Sequence, residues 1–456
     1  MATEAEVDQS NAARAQLASN IGLEKAATTE VPNWSFGLRV AFRFFFTYFV
    51  LFAMSNQVLG GLFIVPGVRI ARLGVLWPLR QITFWTARHV FNVTRQLVYK
   101  NNGSGDKTFD WVQVFCLMVF AVAVTTLWSV LDRERRNDGT IYKWFRLFVR
   151  FALAAEMFVY GFNKVIPVQM SFPFLTTLVE PYGNFSPMAS LWHSIGASRS
   201  YEIFLGSAEV LGGLLMIVPR TVTFGALVCL ADLVQVFVLN MTYDVPVKLL
   251  ALHFMLFAIF LLAPELRRLI NFFFMERATD APALAPLFQK PEANRLAIRL
   301  QVAFGVYLMA MNVSGAIQAW RTIGDGQPKP VLYGIWDVEQ MTIDGQTRLP
   351  LLTEYDRWRR IIFDFTTQTS FQRMDNSFTV FGSSIDEESG TITLMNGRDE
   401  SWKSTFTYAR PAPDELLLDG LMDNHKVHMQ LKLLDRNKFD LVNRGFHWIN
   451  EYPFQR

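Results

Sequence analysis

Glu156, Tyr160 and Lys164 stand at i, i+4 and i+8 in an otherwise apolar run, so a helix there carries all three on one face. Glu202, Gly206, Glu209 and Gly213 make a second stripe, at spacings of four, three and four. Asp232 and Gln235 lie about a turn apart in a third apolar run, and His253 lies in a fourth, with Lys248 near its end. Ionisable groups inside such runs cost about 2.5–3.5 kcal/mol each on insertion scales, and they face a bundle interior or a water-filled cavity. The glycines let a neighbouring helix approach closely, which brings the carboxylates near it. Two readings follow. In the first, Lys164–Glu209 or Arg220–Glu202 are ion pairs that fix helix register, with Lys164 and Arg220 reaching towards headgroups. In the second, Glu156, Tyr160, Lys164, Glu209, Asp232 and His253 line a pocket for a polar-headed lipid or quinone, with a proton relay through Glu209. Segment 167–200 is long for a bundle connection and rich in Phe, Pro and other aromatics. It either caps helix ends at the interface or gates the pocket, with Glu180, Tyr182 and Trp192 at the mouth.

The elements that must position these groups follow from hydropathy. Hydrophobic residues make up 51% of the 456 and charged residues 18%, against about 25% charged in ordinary soluble domains. The shortfall is confined to the first two-thirds, which separates a membrane part from an aqueous part. A spanning helix needs about 20 apolar residues. Segments 40–65, 110–131, 146–166, 201–218, 221–240, 247–264 and 297–317 qualify, for about seven spans. Segment 70–98 mixes Trp77, Phe84 and Trp85 with Arg72, Arg80, Arg88 and Arg95, the pattern of a helix lying in the interface.

Arg133, Arg135, Arg136 and Lys143 mark one loop as cytoplasmic, and Arg267, Arg268, Arg277, Lys290 and Arg295 mark another. The 167–200 connection, with Arg199 alone, faces outwards. The N-terminus is then inside and the C-terminal domain outside, although the basic 69–107 stretch falls on the wrong side of this scheme. From 331 onwards turn signals recur, and Val427, Met429, Leu431 and Leu433 alternate with His428, Gln430 and Lys432. That period of two predicts strands with one buried face, closed into an antiparallel barrel or sandwich.

Other chemistries are excluded. The net charge of +3 is small, and its basic clusters lie between apolar runs, which suits lipid headgroups and not nucleic acid. Cys116 and Cys229 sit in apolar segments and form no CxxC pair, so neither a redox motif nor a cysteine zinc site is built. His425 and His428, three apart on a strand, point to opposite faces and make no metal site. Gly103-Ser104-Gly105-Asp106-Lys107 lacks the spacing of a phosphate loop. Trp336, Trp402 and Trp448 are expected to pack the β domain.

Residues 146–265 resemble the DoxX family, a four-helix membrane module. FALAAEMFVYGFNKV places Gly161 and Lys164 in the family's Gly-x-x-Lys positions. SAEVLGGLLMIVPRTVTFGAL supplies Glu209, Gly212, Gly213 and Arg220 of the second motif, and HSIGASRSYEIFLG carries the polar turn before it. The C-terminal domain is similar to lipocalins in Gly334-Ile335-Trp336, their Gly-x-Trp, and in Arg444, which would play the basic residue packed across that Trp. The DoxX resemblance implies a bacterial inner-membrane protein tied to respiratory or redox chemistry, such as a thiosulfate:quinone oxidoreductase subunit. No haem-ligand pattern, flavin fingerprint or cysteine pair accompanies it, so a quinone or a partner subunit would carry the electrons.

The expected architecture is a multi-pass α-helical membrane bundle with a DoxX-like four-helix core, plus a C-terminal lipocalin-like antiparallel β-barrel. Its parts are a polar tail (1–33), additional spans and an interfacial helix (34–145), the four-helix module (146–265), a cytoplasmic loop and last span (266–330) and the β domain (331–456). The expected function is binding of a quinone or isoprenoid lipid in the bundle, as a redox enzyme or respiratory-complex subunit. The alternative is a non-catalytic lipid carrier, envelope assembly factor or scaffold that uses the barrel. The sequence leaves open whether the protein is an enzyme. Membrane lipids are the expected partners, with an envelope or respiratory protein beside them.

Overall fold

The computed structural model describes residues 33–68, 70–135, 137–279, 286–397 and 399–455. All but Asn33 of the expected tail, and Arg136 of the basic loop, lie outside them. The chain divides into two compact units, one made of residues up to 59, 71–100 and 108–148, the other of 60–70, 101–107 and everything from Val149.

In the first unit, Ser35 accepts the Leu38 N–H and so caps α1 (Phe36–Ser55). The apolar segment expected to continue to residue 65 breaks at Asn56, whose Oδ1 accepts the N–H of Val58, and resumes as the short α2 (Val58–Leu62). Of the 70–98 stretch, α3 (Leu79–His89) is the α-helical part; its 11 residues are too few to cross a bilayer. Trp85 and Ile82 of α3 are exposed while Thr83, Thr86 and Ala87 are buried, the two-sided character expected of an interfacial helix. α4 (Thr108–Leu131) and the start of α5 (Gly139–Val165) pack on α1 through Phe42, Phe46, Phe145 and Trp128, whose rings meet edge-on or tilted at 4.9–6.1 Å.

The second unit continues α5 and adds α6 (Leu175–Val179), α7 (Pro187–Gly196), α8 (Arg199–Ile217), α9 (Val222–Thr242), α10 (Lys248–Leu262), the amphipathic α11 (Leu266–Phe273) and α12 (Pro291–Thr322). Among the described residues six helices are long and apolar enough to cross a membrane, and the chain is a multi-pass membrane bundle. The seventh expected span, 146–166, forms within α5 but carries Arg146, Arg150, Glu156 and Lys164, so it stands outside that apolar set. Its charges are accommodated inside. Arg150, 6% exposed, reaches the Ile217 carbonyl and Gln301 of α12.

Strands β1 (Gly334–Ile343), β2 (Gln346–Thr347), β3 (Trp358–Phe365), β4 (Gln368–Arg373), β5 (Phe378–Asp386), β6 (Thr391–Asn396), β7 (Asp399–Ala412), β8 (Glu415–Met422) and β9 (His425–Leu433) form one antiparallel sheet in sequence order. β9 returns to β1, pairing Trp336 with Leu433 and Ile343 with Val427. With the two-residue β2 set aside on β1, the result is a closed eight-stranded barrel. Asp344-Gly345 and Asp423-Asn424, all at positive φ, make the tight turns between β1 and β2 and between β8 and β9. Val427, Met429 and Leu431 are buried as their alternation required, and they join Trp336, Ile361, Phe363, Phe371 and Phe406 inside the barrel, each at most 4% exposed. They belong to one buried apolar cluster.

The lipocalin-like details come out differently. Trp336 donates from Nε1 to the Leu332 carbonyl at 2.9 Å. The guanidinium across its ring is that of Arg410, 5.5 Å away, whereas Arg444 lies over Phe454 at 4.0 Å. Arg444 follows the last strand, so it cannot take the place expected of it. Gly334 at φ +150° packs against Leu433, where a β-carbon would collide with Cδ1. Trp402 stacks on Phe381 at the core's edge, but Trp448, 88% exposed, packs nothing in the barrel.

Candidate functional site

Close backbone approach places the central ion pair. A β-carbon on Gly206 would lie 2.6 Å from the Gly161 carbonyl oxygen and 2.7 Å from Lys164 Cβ, and one on Gly161 would sit 3.0 Å from the Gly206 oxygen. Two turns along, Gly213 faces Phe158 and the Ala154 carbonyl. Gly212, on the other side of α8, receives Cys229 Sγ of α9. With no side chain between them, α5 and α8 cross where Lys164 reaches Glu209. Lys164 Nζ donates to both carboxylate oxygens, at 2.6 and 2.7 Å, and the two residues are 6% and 4% exposed.

The pair forms one wall of a cavity of about 100 Å³ within the second unit, lined also by Tyr160, Asp232, Gln235 and Asn240. Its roof comes from the 167–200 connection. Gln169 and Met170 precede α7, and Leu191, Trp192 and Ile195 lie on it. The roof is fixed by a bond from Trp192 Nε1 to the Gln169 carbonyl at 3.0 Å and by Glu202, fully buried, whose Oε1 accepts the Met170 N–H at 3.0 Å. Three polar atoms on the cavity wall have no hydrogen-bond partner among the described residues: Gln169 Oε1, Asp232 Oδ2 and Asn240 Nδ2. Buried and unpaired, each costs about 1–3 kcal/mol. Asn240 is 4% exposed.

Of the six expected ligand-binding residues, Tyr160, Lys164, Glu209 and Asp232 meet at this cavity. Glu156, 1% exposed, instead faces Gly61, where a β-carbon would come within 2.8 Å of its Oε1. His253 is buried on α10 with Nδ1 2.6 Å from the Leu249 carbonyl, and it is not part of the wall. The expected Arg220–Glu202 pair does not form. The two residues bracket α8, roughly 27 Å apart at 1.5 Å per residue, and Arg220 is exposed. In the 167–200 connection, Trp192 lines the cavity, while Tyr182 is 76% exposed and bonds to Ser190. Another part of the same connection, α6, packs on the barrel's outer wall: Leu175 clusters with Ile335 and Ile362, and its N–H donates to Asp364 at 2.7 Å. Burial raises the Asp364 carboxyl above its ordinary range, against the opposing pull of that N–H and of Lys329.

Sequence reasoning missed Gln169 and Asn240, whose types are unremarkable in loops and helix ends. It also missed Asp106, which accepts the N–H groups of Lys248 and Leu249 at 2.7 and 2.9 Å and caps α10. The Gly-Ser-Gly-Asp-Lys loop is thus a helix cap. His425 and His428 each pair with an aspartate, Asp344 and Asp419, at 2.6 Å. Among the described residues no group of histidine, cysteine and carboxylate side chains gathers as a metal site.

No family model matches the chain, and no solved structure does. The chain is 32% identical over 132 residues to the uncharacterized protein YwoB of Bacillus subtilis strain 168, a stretch equal to 29% of this chain and 81% of YwoB. An identity of that level along most of the relative's length places this chain in the family of YwoB.

Proposed function

We propose that the bundle binds the polar head of a quinone or isoprenoid lipid at the Lys164–Glu209 cavity, and that the protein serves as a DoxX-like redox enzyme or respiratory-complex subunit in a bacterial inner membrane. The observation that carries this reading is the convergence on one cavity of a buried ion pair and three polar atoms, from Gln169, Asp232 and Asn240, that have no hydrogen-bond partner among the described residues. Whole-ligand sites measure about 300–1,000 Å³. A cavity of about 100 Å³ matches a head group whose tail leaves between helices towards lipid. The cluster of large buried apolar side chains inside the barrel favours the bundle over the barrel as the ligand's seat. The barrel touches the 167–200 connection, so the two share a side of the membrane. Basic loops at Arg133, Arg135, Arg267 and Arg268 support a cytoplasmic N-terminus and a periplasmic barrel.

Solvent extraction and mass spectrometry of the protein in native-lipid discs test the proposal. A stoichiometric quinone or isoprenoid is expected in the parent and lost from Glu209→Gln and from Asp232→Asn, a change that keeps the side chain's shape. Bulk phospholipid alone, identical in all three, would leave Lys164–Glu209 as a packing element only.

A further inference from the structure

A second polar feature lies in the first unit, where α1 begins and α4 ends. A groove of about 470 Å³ opens there, lined by Arg39, Arg43, Arg133, Asp132, Thr125 and Ser129 together with apolar residues. We propose that this groove binds the phosphate of an anionic phospholipid headgroup. The proposal is independent of the Lys164–Glu209 cavity.

The charges there are arranged to leave cation available. Arg43 is already neutralised: its Nε donates to Asp138 at 2.9 Å and its Nη2 to Asp132 at 3.1 Å. Arg135 also holds Asp132, at 3.3 Å, and Trp128 Nε1 donates to it at 3.4 Å, so the lining carboxylate among the described residues is engaged three times. Arg39 donates from Nη1 to the Arg135 carbonyl, and its Nε has no partner among the described residues. Arg133 is exposed. Glu134 follows it in sequence but lies outside the lining. Arg39 and Arg133 therefore offer guanidinium N–H groups to a phosphate, the geometry in which guanidinium is most effective. Basic pockets at the ends of membrane helices bind anionic headgroups for this reason.

The hydroxyls say that the occupant reaches below the charged end. A threonine in a helix commonly returns its hydroxyl to the carbonyl four residues back, as Thr126 does to Val122 at 2.9 Å. Thr125, 4% exposed, does not: its Oγ1 has no partner among the described residues, and neither has Ser129 Oγ. Thr125 lies six residues before the end of α4, roughly 9 Å below it at 1.5 Å per residue. A free inorganic phosphate at the two arginines would leave that hydroxyl unmet. A glycerophospholipid, with ester oxygens below its phosphate, meets both. Val122 and Val130, each about half exposed on α4, provide an apolar track for its acyl chains.

The test is native mass spectrometry of the full-length protein, delipidated in detergent and titrated with phosphatidylglycerol, phosphatidylcholine or inorganic phosphate. One phosphatidylglycerol per chain is expected, retained at least tenfold better than phosphatidylcholine. The double variant Arg39→Gln/Arg133→Gln should weaken retention at least tenfold with an unchanged melting temperature. Thr125→Val, which removes a hydroxyl and no charge, should weaken it a few-fold and so tests the groove even where the double variant folds poorly. Equal retention of the two lipids, or parent-like retention by both variants, overturns the proposal. Displacement of phosphatidylglycerol by equimolar inorganic phosphate would assign the groove to the free ion and overturn the lipid.

Discussion

Two buried charge clusters, one in each unit, solve the same problem in opposite ways. Arg43, 2% exposed, is over-provided: two carboxylates, the Trp128 carbonyl at 3.3 Å and the Trp128 ring at 5.0 Å surround one guanidinium. Lys164 has Glu209 and the Tyr160 ring at 5.9 Å, while Asp232 Oδ2, Asn240 Nδ2 and Gln169 Oε1 nearby lack hydrogen-bond partners among the described residues. In the first cluster the charges close on one another, although Asp138 Oδ1 and the hydroxyls of Thr125 and Ser129 beside them have no hydrogen-bond partner among the described residues; charges so closed fix helix register, because each loses something if a helix slides. In the second the polar groups around the ion pair leave hydrogen-bonding capacity for something else. Burial of charge alone therefore does not mark a site; the unmet neighbours do.

Breaking the closed cluster should have the largest effect. Arg43→Ala leaves Asp138, whose side chain is fully buried, with only the more distant Arg135, at 3.6 Å, and a loss of about 3 kcal/mol is expected for a buried pair broken at one partner. Thermal unfolding in detergent would show it; a melting temperature within error of the parent would mean that the cluster fixes nothing. Next comes Gly206→Ala, whose added methyl meets backbone atoms of α5 and cannot be relieved by a rotamer change. About 1–3 kcal/mol is expected for such overpacking, together with loss of the ligand extracted with the parent, since Lys164 and Glu209 are pushed apart.

A smaller effect is expected at the contact between α6 and the barrel. The folded Asp364 carboxyl titrates above its ordinary value because burial disfavours its charge. The folded state therefore holds the proton more tightly than the unfolded state. This contribution to stability is fully present below the ordinary carboxylate pKa and is lost as pH rises through the raised one. For a single proton its slope is at most about 1.4 kcal/mol per pH unit. Melting curves across that range should flatten in Asp364→Asn, and an identical slope in parent and variant would count against it. The smallest change sharpens the contrast most. Replacing both partners of the open pair, Lys164→Met with Glu209→Leu, should leave stability unchanged or raise it, as when other buried pairs give way to apolar residues, while ligand retention disappears. Marked destabilisation would make this pair a register device like the first.

What was legible in the sequence is what local periodicity encodes. The apolar runs gave the spanning helices, the alternation through Val427, Met429 and Leu431 gave the buried face of β9, and the glycine spacing gave the meeting of Lys164 with Glu209. Contacts between distant positions were not legible. Arg43 finds its carboxylates 89 and 95 residues away, Asp106 caps a helix 142 residues on, and Arg150 meets Gln301 across 151. The assignment of Arg444 to Trp336 failed for a related reason: barrel closure decides which strand brings a guanidinium to the ring, and it brings Arg410 of β7. Glu156 and His253 share the residue types of the cavity groups but face other neighbours, because helix rotation is set by packing and not by the charge itself.

The seam between β1 and β9 has a consequence for synthesis. Trp336 waits for Leu433 as its strand partner, so roughly a hundred residues must leave the ribosome before the barrel can close, about 5–20 s at ordinary elongation rates. During that interval β1 presents an unpaired edge beside membrane helices that are already made. An unpaired edge is a template for wrong strand pairing. A stop codon between the end of β1 and His425 makes that temporary exposure permanent, and such truncated chains should be cleared by proteases or aggregate even with every spanning helix intact.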